Sequence, residues 1–146
     1  MTVAAILKQK GSDSVTTVAS GATLLDCVTA LATNRIGALI VSDDGQSIAG
    51  IISERDIVSA LARSGREVLD QPVSTVMTRD VQSCTMDERA TQLLRRMTTG
   101  RFRHLPVVEN GRLCALVSIG DVVKFRVAEI EMEKGALEDM VRGMYV

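Results

Sequence analysis

A chain of 146 residues with 46% hydrophobic content can build a packed core, and a formal net charge of −1 with both signs interspersed gives no basic face for nucleic acid. Only Phe102, Phe125 and Tyr145 are aromatic, too few for a platform that stacks single strands. One histidine and three scattered cysteines (Cys27, Cys84, Cys114), none at ligand spacing, argue against a metal site and fit small buried thiols.

The start, Met1-Thr2-Val3-Ala4-Ala5-Ile6-Leu7, reaches Lys8 and Lys10 too soon for a secretory leader, and no apolar run is long enough to span a bilayer. A cytoplasmic, reduced protein without a membrane partner is the expectation. Residues 3–9 read as a short helical turn ending near Gly11, and Val15 to Val18 as a short strand. Ser20 or Thr23 can start a helix with Leu24, Leu25, Val28 and Leu31 on one face. Ala38 to Val41 is a buried strand, Asp43-Asp44-Gly45-Gln46 a turn, and Ile48 to Ile52 the returning strand. Ser53 is placed to cap the next helix, with Ile57, Val58 and Leu61 facing inward and Gly65 at its end.

The same order then recurs. Val81-Gln82-Ser83 reads as a strand, Ala90, Leu93, Leu94 and Met97 as a helix stripe, and Leu105–Val108 with Leu113–Val117 as a hairpin about Asn110-Gly111. Ser118 starts the last helix, which extends to about Arg142. Arg35-Ile36-Gly37-Ala38-Leu39-Ile40-Val41 overlies Arg101-Phe102-Arg103-His104-Leu105-Pro106-Val107, and the same offset joins Val15 to Val81 and Gly45 to Gly111. After one deleted residue, Ile51 to Val58 falls on Leu116 to Val123. A repeat of this length is one supersecondary unit used twice. The boundaries read as repeat 1 at 3–65, a short, partly apolar linker at 66–78, repeat 2 at 79–130 and a C-terminal helical extension at 131–146. On the last helix Val123, Val127, Ile130, Leu137 and Val141 make a stripe interrupted by Lys134, open to two readings: packing on the chain itself, or a partner helix in a dimer.

The ordered set Ile36–Val41, Gly50–Asp56, Val76-Met77-Thr78, Arg103–Val107 and Val117–Val123 resembles a tandem CBS pair, or Bateman module, over roughly residues 3–130. That resemblance implies a mixed α/β (α+β) fold of two βαββα units related by a pseudo-twofold axis, here with a C-terminal helix. It also implies a stand-alone protein that binds adenine nucleotides or related adenosyl ligands in two clefts, commonly as a homodimer.

Ser53-x-x-Asp56 and Ser118-x-x-Asp121 each open a helix directly after a strand. A helix N-terminus suits phosphate, a serine hydroxyl can donate to an anion, and an ionised carboxylate can accept both hydrogens of a ribose diol. The same spacing is also a helix-capping pattern. From the resemblance, Thr78, Val81 and Ser83 complete the Asp56 cleft, and Ser12, Val15 and Thr17 the Asp121 cleft. Arg103 and His104 match residues that face phosphate, where the first repeat has Gly37 and Ala38; the Asp121 cleft is therefore expected to be the better anion site. Gly120, Lys124 and Arg55 flank the two aspartates as further candidates. The expected ligands are AMP, ADP or ATP, or NAD(H), with S-adenosylmethionine less suited to the arginine. The expected role is sensing of energy or redox state that modulates a regulated protein of unknown identity, with no catalytic cofactor and no catalytic residue. A constitutive dimeric scaffold with vestigial clefts is the alternative, and a small nucleotide hydrolase a third.

Overall fold

Local chemistry starts and stops most of the elements. The computed structural model describes residues 2–11 and 15–144. α1 (Val3–Lys10) starts at Thr2, whose hydroxyl accepts the Ala5 N–H, and stops at Gly11 with φ 73°. β1 (Thr17–Val18) leads to α2 (Leu24–Asn34), which Thr23 and Asp26 cap reciprocally. β2 (Ala38–Val41) and β3 (Gly50–Ser53) form a hairpin that feeds α3 (Glu54–Ser64), closed at Gly65. Two 3-10 turns, Arg66–Asp70 and Val73–Thr75, occupy the linker. The second course comprises α4 (Ala90–Gly100), β4 (His104–Glu109), β5 (Arg112–Ser118) and α5 (Ile119–Met144).

The chain divides into two compact units that interleave in sequence, one built from residues 13–84 and 106–116, the other from 1–12, 85–105 and 117–146. In the first, β1 pairs parallel to β2 and β2 antiparallel to β3, with Thr17 opposite Ile40 and Leu39 opposite Ile52. All four residues of β2 are buried, as a central strand covered on both faces must be. Its core gathers Leu24, Cys27 and Leu31 from α2, Leu39, Val41 and Ile52 from the sheet, and Ile57 and Ala60 from α3, closed by Val68, Val73 and Met77. In the second unit α5 packs with α1 and α4, and Val3, Ile6, Ala90, Leu93, Met97 and Val122 are buried.

The repeat persists in backbone detail. Val18 pairs with Val41 in parallel, and the offset partners Cys84 and Val107 form a parallel bridge. Arg35 and Arg101, each ending a helix, adopt left-handed φ of 53° and 57°. Asn110 and Gly111, at φ 53° and 76°, make the two-residue turn that joins β4 to β5.

Several expectations shift. Val81-Gln82-Ser83 is not a strand: Gln82 and Ser83 are exposed, and Cys84 carries the pairing, its N–H donating to Pro106 O and its carbonyl accepting the Val108 N–H, both at 2.9 Å. Val15 lies ahead of β1, not within it. The returning strand begins at Gly50 and not at Ile48, because the Asp44 carboxylate gathers the N–H groups of Gln46 (2.8 Å) and Ser47 (2.7 Å) into a wider turn. Those backbone donors hold the Asp44 carboxyl well below the usual range. Leu25 is 49% and Val58 64% exposed, since Leu24, Cys27 and Leu31 take the inner face of α2, and Ile57 and Ala60 that of α3. α5 runs unbroken past Arg142 to Met144. No helix among the described residues is long and apolar enough to cross a membrane.

Candidate functional site

Each candidate aspartate stands at a strand-to-helix junction built by the repeat. In the unit holding Asp56, the Glu54 N–H donates to Gly37 O at 3.0 Å, tying the start of α3 to the residue before β2. The Ser53 hydroxyl accepts the Asp56 N–H (3.2 Å), and Asp56 Oδ2 accepts the Ser53 N–H (2.9 Å). In the other unit the Ile119 N–H donates to Arg103 O at 2.8 Å, the Ser118 hydroxyl accepts the Asp121 N–H (3.1 Å), and Asp121 Oδ2 accepts the Ser118 N–H (2.9 Å). Capping is therefore realised at both mouths. It uses one carboxylate oxygen and one lone pair of the hydroxyl, leaving Oδ1 and the hydroxyl proton of each pair for other work.

The neighbours of Asp56 are set by backbone pairing. Thr78 exchanges two hydrogen bonds with Ile51, N–H to O and O to H–N, both at 2.9 Å, which sets it beside β3 two residues before Ser53. Gly50 permits this approach: a Cβ there would meet Met77 Sδ at 2.6 Å and Thr78 O at 2.8 Å. Val81 is half-buried and Ser83 exposed along the segment from Thr78 to the Cys84 bridge, and Arg55 is exposed in the first turn of α3. Thr17 pairs with Ile40 in this same unit, and Val15 is half-buried there.

Around Asp121 the same unit holds Ser118, Gly120, Arg103, His104 and Lys124. Arg103, whose carbonyl anchors the start of α5, is exposed, and His104 beside it is half-buried. A Cβ on Gly120 would meet nothing closer than Ser118 Oγ at 3.6 Å, so the first turn of α5 is open there. Lys124 is exposed in the next turn. Val15 and Thr17, expected to complete this pocket, are counted with the other unit, and Ser12 lies outside the described residues.

One participant escaped the sequence reading. Lys10 Nζ, at the end of α1, lies 3.0 Å from Asp121 Oδ2. Burial works to raise the Asp121 carboxyl, but the Ser118 N–H and the Lys10 ammonium outweigh it, and the group sits below the usual carboxylate range. Lys8 and Lys10 mark the basic last turn of a short helix, but nothing in that pattern points to Asp121. A shallow groove on α5 lined by Leu137 and Val141 begins 13 residues beyond Asp121 at Lys134, about 20 Å along the helix, and gathers none of the candidate site residues.

The family model for the CBS domain matches residues 7–63 and 73–128. A CBS domain-containing protein of Arabidopsis thaliana is 35% identical over 131 residues, covering 88% of this chain and 24% of its own length. The chain thus spans about a quarter of the length of the first curated relatives it matches. Among solved structures, a CBS-domain protein of Agrobacterium tumefaciens superposes with a TM-score of 0.83 at 43% identity, over 86% of this chain and 99% of that one. Two more distant CBS-domain structures share the fold at 24% identity. One, from Pyrobaculum aerophilum, is complexed with AMP (TM-score 0.73, 83% and 89% of the two chains). The other, the pair of protein MJ0100, is complexed with 5-methylthioadenosine and S-adenosyl-L-methionine (TM-score 0.77, 88% and 98%).

Proposed function

This chain belongs to the CBS-domain family, and we propose that it is a regulatory module whose two helix mouths hold adenine nucleotides, AMP, ADP or ATP, with NAD(H) as the dinucleotide member of the class. The observation that carries the reading is the duplication of one clasp. Ser53–Asp56 and Ser118–Asp121 keep the same reciprocal hydrogen bonds at matched junctions, and each leaves a carboxylate oxygen open. Thr23 and Asp26 make the same reciprocal cap at α2, but not directly after a strand, so what sets the two Ser–Asp pairs apart is their place at matched junctions where β3 and β5 run straight into a helix. The AMP, methylthioadenosine and S-adenosylmethionine carried by the two distant structures of the same fold support an adenosyl ligand here.

In this reading Asp56 and Asp121 accept the ribose diol, Ser53 and Ser118 donate to the ligand, and Arg103 and Lys124 supply cationic charge for phosphate at the second mouth. No step of bond making is assigned; the output is a change in affinity for a regulated protein, which requires the nucleotide to favour one state of the module. Thermal unfolding with and without AMP, ATP and NAD tests it. A ligand at a hundred times its Kd stabilises the folded state by about 2.7 kcal/mol, and no shift with any of the three would refute the nucleotide role.

A second reading has its own observation. Val123, Val127, Ile130, Leu137 and Val141 are 47–62% exposed on α5, so this chain does not bury its own stripe. We propose a second copy as its partner, paired antiparallel. That arrangement lets Lys124 meet Glu138 of the partner helix, whereas parallel in-register pairing would oppose Lys134 to itself. A dimer that forms but never responds to nucleotide would favour the constitutive scaffold.

A further inference from the structure

We infer that Lys10 is an internal competitor for the Asp121 carboxylate, a latch on the last turn of α1 that a ligand's diol must open; the inference rests on the ligand reading of Asp121 given above. Asp121 Oδ2 receives two donors at once, the Ser118 N–H at 2.9 Å and Lys10 Nζ at 3.0 Å. A vicinal diol that donates to both carboxylate oxygens needs a position on that same oxygen. The capping bond belongs to the helix start and stays. Lys10 is the partner that can leave, on a flexible stem with its side chain 37% exposed, while Asp121 is 20% exposed.

The rest of α1 is fixed elsewhere. The Val3 N–H donates to Glu88 O (2.8 Å) and the Ala4 N–H to Met86 O (3.0 Å), and Val3, Ile6 and Leu7 are buried. Releasing Lys10 therefore loosens the C-terminal turn of the helix and leaves its first turn docked. Asp56 carries the matching clasp but, among the described residues, no ion pair. The latch belongs to the second mouth alone. The two sites become unequal, and ligand arrival at Asp121 is coupled to the last turn of α1.

An ion pair this exposed is weak, so the latch changes affinity by about 1.4- to 5-fold. Adenosine is the probe, because it carries the diol and has no phosphate to recruit the lysine. Amide shifts of Gly120 and Asp121 in a heteronuclear NMR titration read this mouth alone, and hydrogen exchange at Gly11, whose N–H donates to Leu7 O at 3.1 Å, reads the last turn of α1. The expected result for Lys10→Met is adenosine binding tightened about 1.4- to 5-fold at those amides, with faster Gly11 exchange in the free protein. Saturating adenosine should speed Gly11 exchange in the wild type as well. Unchanged Gly11 exchange in Lys10→Met, or adenosine binding that is unchanged or weakened, overturns the latch while leaving the ligand reading in place. If neither adenosine nor AMP shifts Gly120 and Asp121 in either protein, the ligand reading fails, and a ligand-operated latch fails with it whatever Gly11 does.

Discussion

Gly50→Ala should destabilise this protein, reversing the sign that a strand glycine ordinarily gives. In an unobstructed strand, alanine is favoured over glycine by roughly 0.5–1 kcal/mol, because glycine gives up more conformational freedom on folding. Here the added Cβ would lie 2.6 Å from Met77 Sδ, 2.9 Å from Met77 Cγ and 2.8 Å from Thr78 O. The thioether can rotate away. The Thr78 carbonyl cannot retreat without breaking its bond from the Ile51 N–H at 2.9 Å. Forcing a methyl into such a contact costs about 1–3 kcal/mol. Set against the gain from losing glycine, a clash near the middle of that range leaves a net loss of about 1 kcal/mol, and for a chain of this size a fall in Tm of about 2–4 °C. Differential scanning calorimetry with urea unfolding measures both quantities. Since the contact also holds Thr78 beside β3, nucleotide affinity at the Asp56 mouth should fall with stability. A neutral or stabilising Gly50→Ala would refute the close-approach argument.

Asp121→Ala should weaken AMP binding more than Asp56→Ala, because Arg103 and Lys124 add cationic charge at the second mouth; equal losses by isothermal titration would contradict that asymmetry. The Asp121 carboxyl lies below its ordinary value in the folded protein, so its ionised form stabilises the fold at pH values above the unfolded pKa of about 3.9, and that contribution fades as pH falls through the lower folded value. Urea midpoints from pH 5 downward should therefore drop less steeply in Asp121→Asn than in the wild type, and an identical slope would show that Asp121 is not held ionised. Ile130→Glu places a carboxylate in the exposed α5 stripe, and light scattering should then report the mass of one chain where the wild type gives two; an unchanged mass would remove α5 from the interface.

The fold was legible where a rule acts within a few residues. Asn110-Gly111 marked its hairpin, Ser53 and Ser118 marked their helices, and the repeat offset carried through to the paired bridges at Val41 and Val107. Periodicity misjudged Leu25 and Val58 because Cys27 and Ala60, small residues with weak apolar signals, hold the inner faces. The strand expected at 81–83 failed because Gln82 and Ser83 offer nothing to bury, and the ladder contact fell to Cys84. Of the site, the two Ser–Asp clasps were readable and their hydrogen bonds follow. The approach of Met77 to Gly50 and the pairing of Lys10 with Asp121 were not. The latter joins residues 111 apart in sequence, and nothing local to either residue encodes the other.

In the proposed function the paired aspartates hold the nucleotide. Titration calorimetry of AMP into the wild type and into the double variant Asp56→Asn with Asp121→Asn tests it most directly, since asparagine keeps an oxygen for the cap and loses the charged two-oxygen acceptor. Saturable heat in the wild type that disappears in a folded double variant is the predicted result. Equal binding by both proteins, or none by the wild type, would contradict the account.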